Sequence, residues 1–412
     1  MQNSHRQLSI ALVVLFTILQ LVILIVFGYT PYPDSDGYIL LAEECIAEND
    51  IYPIASKLND YPFLWNIGAI NAVVLSLKLF HSIVPLLVVY SLMKGATAAL
   101  LYQIVKAIGN EKTALVTLLL YIIYPANYGE STSTLSELPF LFFCMLGIWF
   151  SVNKKLSVLG GAFIAIANWF RPMGIVFLLA VIAYLFLTRR KIVRPLIGYV
   201  AMIVMIGSMS YLRTGLFLYQ AKTGWMALSD YSTKNSFASM DVRNHNEWNV
   251  SQKDAAWQKI FMEWLQQHSG EYMAQMPRKL VDTYVSDNVN MCTFIPDKAK
   301  REYMYEEVSL GTILHHFPHL SAVQWLTVVN LIIYACIVVC ALLSLFHFNR
   351  TYVLPVGIIL LGTLLLLLVG HGEARFHIPF MPFFIMLAAN EYSFLNLILG
   401  KRKNNLRLKG IG

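Results

Sequence analysis

Charge is what this chain has least of. Asp, Glu, Lys and Arg make up 13% of its residues, about half the share of an ordinary globular protein. With 24 acids, 31 bases and a hydrophobic fraction of 57% over 412 residues, too little polar side chain exists to cover two or three water-soluble domains. Mean hydropathy is +0.57, so the composition is that of a polytopic membrane protein. The five cysteines form no C-x-x-C pair and no zinc spacing. Cys144, Cys336 and Cys340 lie in apolar runs, where a small buried hydrophobe is the ordinary reading, while Cys45 and Cys292 lie in polar stretches and leave a disulfide open. Also missing are a Walker A loop, a G-x-G-x-x-G turn, a G-x-S-x-G elbow and an H-E-x-x-H helix, which removes support for ATP-driven transport, serine hydrolysis and zinc hydrolysis. His315, His316 and His319, or His371 with Glu373 and His377, lack that zinc spacing, and no metal site is expected from them. No internal repeat of the inverted-transporter kind occurs.

What the chain has instead is apolar runs. A spanning helix needs about 20 apolar residues, and ten candidates stand at 8–28, 84–106, 112–125, 136–152, 156–171, 172–188, 192–210, 321–347, 351–369 and 376–397. The first is longer than a usual signal-peptide core, and no small-residue cleavage site precedes Thr30, so it reads as a retained span. The excess of bases, a net charge of +7, falls in short clusters between runs rather than along one polar face, so it reads as topology and not as nucleic-acid binding. Lys154 and Lys155, Arg189 to Arg194, Arg350 and Lys401 to Lys403 all ask for one side under the positive-inside rule, which makes both termini cytoplasmic. Lys106 and Lys112 ask for the same side, and then 64–80, interrupted by Asn66, Gly68, Asn71 and Lys78, is expected not to cross but to lie as an outer juxtamembrane or re-entrant helix.

The expected organisation is an N-terminal transmembrane module (1–210) whose acidic first outer loop covers 29–83. An outer helical loop or cap (211–320), amphipathic from Ala255 to Tyr284, follows. C-terminal spans (321–400) and a basic cytoplasmic tail (401–412) complete it. Every informative polar residue falls on the outer side. Asp34 and Asp36 open the first loop, where a carboxylate in a low-dielectric cleft has the raised pKa of a general base, although Asp-Ser-Asp-Gly is also an ordinary turn. Glu137 heads a span, a costly place for a charge unless it lines a wet cavity. Arg171 and Arg375 sit in outer turns, where a guanidinium fork suits a lipid-linked phosphate, with interfacial anchoring as the plain alternative. Lys94 lies within a span and reads equally as reaching an interior carboxylate or phosphate and as marking a displaced boundary.

In this order and placement the motifs resemble the integral-membrane glycosyltransferases of the GT-C fold that use polyprenyl-phosphate sugars, among them protein O-mannosyltransferases and lipid A aminoarabinose transferases (glycosyltransferase family 39-like). The residues carrying the resemblance are Asp34-x-x-x-Tyr38-x-x-x-Ala42, then Tyr61-Pro62-Phe63-Leu64-Trp65, Glu137, Arg171-Pro172-x-Gly174, and Glu373-x-Arg375-Phe376 running to Pro379 and Pro382. The stretch from Trp257 to Leu280, with Trp264, His268 and Tyr272, is similar to a helix in the large outer loop of bacterial members. The chain departs from many members at Ser35, where they carry Glu, and at Phe376, where Tyr is common.

The resemblance implies an all-α fold of about ten spans with a helical cap, working at the outer face of a bacterial inner membrane on cell-envelope glycan. It implies inverting transfer of a sugar from a polyprenyl-phosphate donor to a glycan, lipid or protein acceptor, with Asp34 or Asp36 as base. Arg375, Arg171 and Lys94 would hold the donor phosphate, and Glu137, Tyr38, Glu373 and His371 would orient substrate. No nucleotide is required, and a divalent metal is left open. The alternatives are a polymerase or ligase acting on diphosphate-linked glycans, which would tolerate loss of Asp34, and a lipid or glycan transporter.

Overall fold

The computed structural model describes residues 2–50, 66–152, 156–233, 236–245, 247–296, 304–347 and 352–390. Among them every regular element is a helix. The first part of the chain gives α1 (Gln2–Phe27), α2 (Pro33–Ala47), α3 (Ile67–Phe80), α4 (Val84–Ile108), α5 (Glu111–Ile123), α6 (Glu137–Val152), α7 (Ser157–Phe170), α8 (Gly174–Leu187) and α9 (Val193–Thr214). The segment expected as a cap is helical: α10 (Gly224–Ala227), a π-turn over Leu228–Ser232, α11 (Ser236–Asn244), α12 (Val250–Tyr284), α13 (Met304–Glu307) and α14 (Leu310–His316). It is followed by α15 (Ala322–Ser344), α16 (Val353–Val369), a 3-10 turn over Ala374–Phe380 and a helix over 381–390.

The architecture is consistent with a helical membrane protein. Nine of the expected apolar runs coincide with helices α1, α4 to α9, α15 and α16. Length is another matter. Four helices, α1, α4, α9 and α15, are long and apolar enough to cross a membrane, and a fifth span results if Pro125–Thr132 and α6, bent by 111° to each other, count as one. Helices α3, α7 and α8 have 14 residues each, about 21 Å against a hydrocarbon core of about 30 Å. The runs at 112–125, 156–171 and 172–188 are themselves shorter than about 20 residues, and their helices are no longer than the runs. The Tyr61–Trp65 motif, the bases Lys154, Lys155 and Arg350, and the tail from 401 lie outside the described residues.

Polarity is arranged inside out. Helix α1 exposes Ile25 and Val26 while Gln20 is buried, and α9 exposes Leu212. Gln20 is needed inside because the chain between α5 and α6 leaves the helical ladder, and backbone away from water must find partners within the protein. Gln20 Nε2 donates to Asn127 O at 3.0 Å and its Oε1 accepts from Ser131 Oγ at 2.8 Å. Asn330 of α15 accepts from Ala126 N at 2.9 Å, and Lys94 of α4 pairs with Glu130 at 2.5 Å and donates to Asn127 Oδ1 at 3.0 Å. Cys45 and Cys292 are buried in separate clusters, and no disulfide joins them.

Helices α6, α7 and α9 meet through glycine. A Cβ on Gly161 would stand 1.7 Å from Pro195 O, and one on Gly198 would stand 1.8 Å from Val158 O. The backbones of α7 and α9 therefore touch directly, the small-residue packing that substitutes for a hydrophobic driving force between helices in lipid. Valine at either glycine must force the pair apart at an overpacking cost of about 1–3 kcal/mol. We expect Gly161→Val and Gly198→Val each to lower the thermal midpoint in detergent by about 1–4 °C, and an unchanged midpoint would refute this contact.

Candidate functional site

The expected site residues arrive from four separate segments. Helix α2 begins where the sequence allowed a plain turn: Pro33 occupies the first turn with Asp34 and Asp36, a fixed φ and two negative charges where the helix dipole favours them. The four-residue spacing then stacks Asp34, Tyr38 and Ala42 on one face, and Tyr38 and Ala42 are buried against α3. Glu137 is the first residue of α6, Arg171 follows the last turn of α7, and Arg375 lies in the 3-10 turn beyond α16.

These residues touch. Arg375 pairs with Asp34 at 2.7 Å, Glu373 at 3.1 Å and Glu137 at 3.5 Å, and Arg171 pairs with Glu137. The ring of Phe376 lies under both guanidiniums, at 5.5 Å from Arg171 Cζ and 6.0 Å from Arg375 Cζ, so a face with negative π density sits beside two like charges. Tyr38 Oη and Ser136 Oγ accept from Asn66 Nδ2 at 2.8 and 3.0 Å. His371 contacts Glu373 at 3.2 Å.

Asp34, Tyr38, Arg171, His371, Glu373 and Arg375 line one cavity of about 600 Å³. Beside these polar groups the lining holds apolar side chains, Leu365, Leu366 and Val369 of α16, with Met173 and with Met226 and Ala227 of the cap. That size and mixed lining suit a small-molecule or headgroup site.

Three expected residues do not line it. Asp36 accepts from Tyr29 at 3.3 Å and lies two residues beyond Asp34, turned to another side of α2. Lys94 is buried in the Glu130 and Asn127 contacts described above, which answers the sequence's choice with the interior carboxylate. Glu137 is buried behind the two arginines, 3% exposed. Several contributors escaped the sequence reading. Asn66 counted there only as an interruption of an apolar run, yet as the residue before α3 it does not cap the helix and instead spends its amide on Tyr38 and Ser136. Asp230, Tyr231 and Arg243 of the cap also line the cavity, and no motif marks them.

No family model matches the chain, and neither a curated protein nor a solved structure matches it.

Electrostatics separate the carboxylates. Burial raises Asp34 above the ordinary carboxylate range more than Arg375 lowers it. Burial works the same way on Glu373, but Arg375 and then His371 outweigh it and hold that carboxyl at about 2. Burial opposes the charge of Arg375, and Glu373, Glu137 and Asp34 together hold it protonated. A divalent ion finds a poor donor set here, because Asp34, Glu137 and Glu373 each already engage a guanidinium, and among the described residues no group of three His, Cys, Asp or Glu side chains is disposed to hold a metal.

The signs of these shifts have opposite consequences for stability. Glu373, depressed from 4.5 to about 2, contributes stability that is present above its unfolded pKa and is lost as pH falls from about 4.5 through 2. Asp34, raised, costs the folded state at neutral pH, and that cost disappears as pH falls below its unfolded value. Asp34→Asn is therefore expected to melt no lower than wild type at pH 7. Glu137→Gln, which strips a buried partner from Arg171 and Arg375, should destabilise by about 3–5 kcal/mol. Thermal or denaturant unfolding of the two variants in one detergent checks this, and equal losses would contradict it.

Proposed function

We propose that the chain is a membrane glycosyltransferase that moves a sugar from a polyprenyl-phosphate donor to an acceptor hydroxyl. The observation that carries the reading is the convergence of Asp34, Arg171 and Arg375, from three distant segments, on one cavity whose lining is also apolar in part. An isoprenoid phosphate presents the matching halves: hydrocarbon for Leu365, Leu366 and Val369, and an anion for the guanidinium forks. The GT-C assignment, a count of about ten spans and an outer, positively disfavoured face for the site belong to the same proposal. Lys106, Lys112 and Arg189 to Arg194 support the sidedness, because they stand at the opposite ends of their helices from those that bring in Glu137 and Arg171.

The chemistry is a single displacement. The acceptor oxygen bonds to the anomeric carbon while the bond from that carbon to the phosphate oxygen breaks, its electron pair leaving with the phosphate. The acceptor's proton passes to the Asp34 carboxylate. Charge is conserved inside the cavity, since a phosphodiester monoanion and an ionised Asp34 become a phosphate dianion and a neutral Asp34. A carboxyl whose burial already favours the neutral form suits that role. In the resting site Arg375 holds Asp34 at 2.7 Å. A donor phosphate that takes over Arg375 removes the base's counter-ion, so donor binding makes Asp34 more basic before the acceptor reacts. Arg171, fixed by Glu137, adds charge stabilisation to the departing phosphate. No step is routed through a metal.

The test is transfer of radiolabelled sugar from a panel of polyprenyl-phosphate sugars by purified wild type and Asp34→Asn. Donor-dependent product should form with wild type and fall by about 10²–10⁴-fold in the variant. Near-normal turnover in Asp34→Asn removes Asp34 as base, and elongation of diphosphate-linked glycan with no use of monophosphate donors replaces the reading with a polymerase. Arg375→Lys keeps the charge and loses the fork, so its donor KM should rise about tenfold or more with the acceptor KM little changed.

A further inference from the structure

Part of the cavity lining belongs to the cap, and its Asp230, Tyr231 and Arg243 have no part in the chemistry just described. The one-turn π-helix Leu228–Ser232 turns Leu228, Ser229 and Ser232 inward and leaves Asp230 and Tyr231 on the cavity. Such turns recur at functional sites, because the extra residue re-aims neighbouring side chains. Tyr231 stacks on His371 with ring centroids 4.0 Å apart and planes within 19°. With one face covered, Tyr231 is still 57% exposed, so the exposed area is its other face and edge. Beside it Asp230 and Arg243 form an ion pair at the cavity wall.

We propose that Tyr231, Asp230 and Arg243 form a subsite for a pyranose ring. A sugar has an apolar C–H face that packs on an aromatic ring and a rim of vicinal hydroxyls that want a donor and an acceptor side by side, which a carboxylate held against a guanidinium supplies. The platform is braced from behind. Lys253 Nζ donates to Arg243 O at 2.9 Å, Gln275 Nε2 to Ser232 O at 3.0 Å, and Lys279 Nζ to Ser232 Oγ at 3.3 Å, all three from α12. A flexible peptide acceptor needs no such rigid flat surface, whereas a ring gains from one that is already formed. The proposal deepens the transferase reading and rests on it for the substrate that delivers the ring, either the donor's own sugar or the terminal sugar of a glycan acceptor.

The experiment uses the full chain in detergent with methyl glycosides of glucose, galactose, mannose and N-acetylglucosamine as probes, read by saturation-transfer NMR. Sorbitol serves as an open-chain control. At least one pyranoside should bind, with strongest saturation on the ring protons of one face, and sorbitol should not. Tyr231→Ala should weaken binding about tenfold, Tyr231→Phe should keep it, and Asp230→Asn should weaken it about tenfold. Tyr231 is exposed, so Tyr231→Ala and Tyr231→Phe should both keep the wild-type thermal midpoint.

Displacement of the glycoside by a polyprenyl-phosphate sugar but not by bare polyprenyl phosphate assigns the subsite to the donor's sugar. Simultaneous binding of glycoside and donor assigns it to the acceptor. No pyranoside binding, binding indifferent to Tyr231→Ala, or displacement by a serine-containing peptide overturns the subsite. Glycoside binding without transfer from any donor overturns the transferase reading and leaves the subsite standing. Transfer by Tyr231→Ala with both substrate KM values unchanged does the reverse.

Discussion

The structure turns on backbone that leaves the helix in the interior of an apolar bundle. From Tyr124 to Ser136 the chain runs through two short 3-10 turns, and its peptide groups cannot rely on an i to i−4 ladder or on water. The bundle answers with Gln20 and Asn330, which bond this backbone, and with Lys94, which holds the segment by the side chains of Asn127 and Glu130. Removing any of them leaves buried polar groups unpaired, a cost that a generic apolar packing change does not carry. Because this segment is pinned, α6 starts at Glu137 and not a turn earlier or later. One residue of slip in the pinned stretch would rotate that carboxylate by about 100° around the helix and away from Arg171 and Arg375. The site therefore inherits its geometry from contacts that line no cavity.

The cluster so placed is over-supplied with carboxylate. Asp34, Glu137 and Glu373 face Arg171 and Arg375, and the excess negative charge is not shared evenly. Glu137 is deepest and holds both arginines, Glu373 is held far below its ordinary pKa, and Asp34 is the one in which burial outweighs the guanidinium beside it. Groups that interact this closely titrate as a set, and the member driven toward neutrality is the one suited to gain and lose a proton. Phe376 fits the same logic. A phenol hydroxyl there would add a hydrogen-bonding group between two guanidiniums that are already engaged, while the plain ring accommodates both cations with its face.

Much of this was legible in the sequence, and what was not has physical causes. The spacing of Asp34, Tyr38 and Ala42 is a helix-face spacing, and the first-turn acids with Pro33 support a helix start over the turn that Asp-Ser-Asp-Gly also allows. Glu137, Arg171 and Arg375 stand out because charge beside an apolar run is expensive. Lys94 stood out for the same reason, yet cost alone does not say which carboxylate repays it, and Glu130 is the partner. The number of crossings is less legible, because the runs at 112–125, 156–171 and 172–188 give helices of only 13 or 14 residues. Asp230, Tyr231 and Arg243 carried no signal at all: they sit in an ordinary polar loop, and only the π-turn and the long brace of α12 bring them to the cavity. Asn66 was visible only as a break in an apolar run, and nothing in the sequence says that its amide reaches Tyr38 and Ser136.

The mixed lining of the cavity bears on what kind of ligand can use it. A free anion such as inorganic phosphate would be met by Arg171 and Arg375, but it would leave Leu365, Leu366 and Val369 against water and would have to compete with three resident carboxylates. A hydrocarbon chain alone would satisfy those side chains and leave the ion pairs intact, with nothing gained at the polar end. A molecule carrying both can repay the separation of Arg375 from Asp34 with apolar burial, at about 25 cal/mol per Å² of surface removed from water. The binding energy of the remote lipid is then what rearranges the charges at the reacting end. On the proposed transferase reading, an anion lacking that tail has no apolar burial to offset the separation of Arg375 from Asp34, so Asp34 stays paired when only a small phosphate is bound.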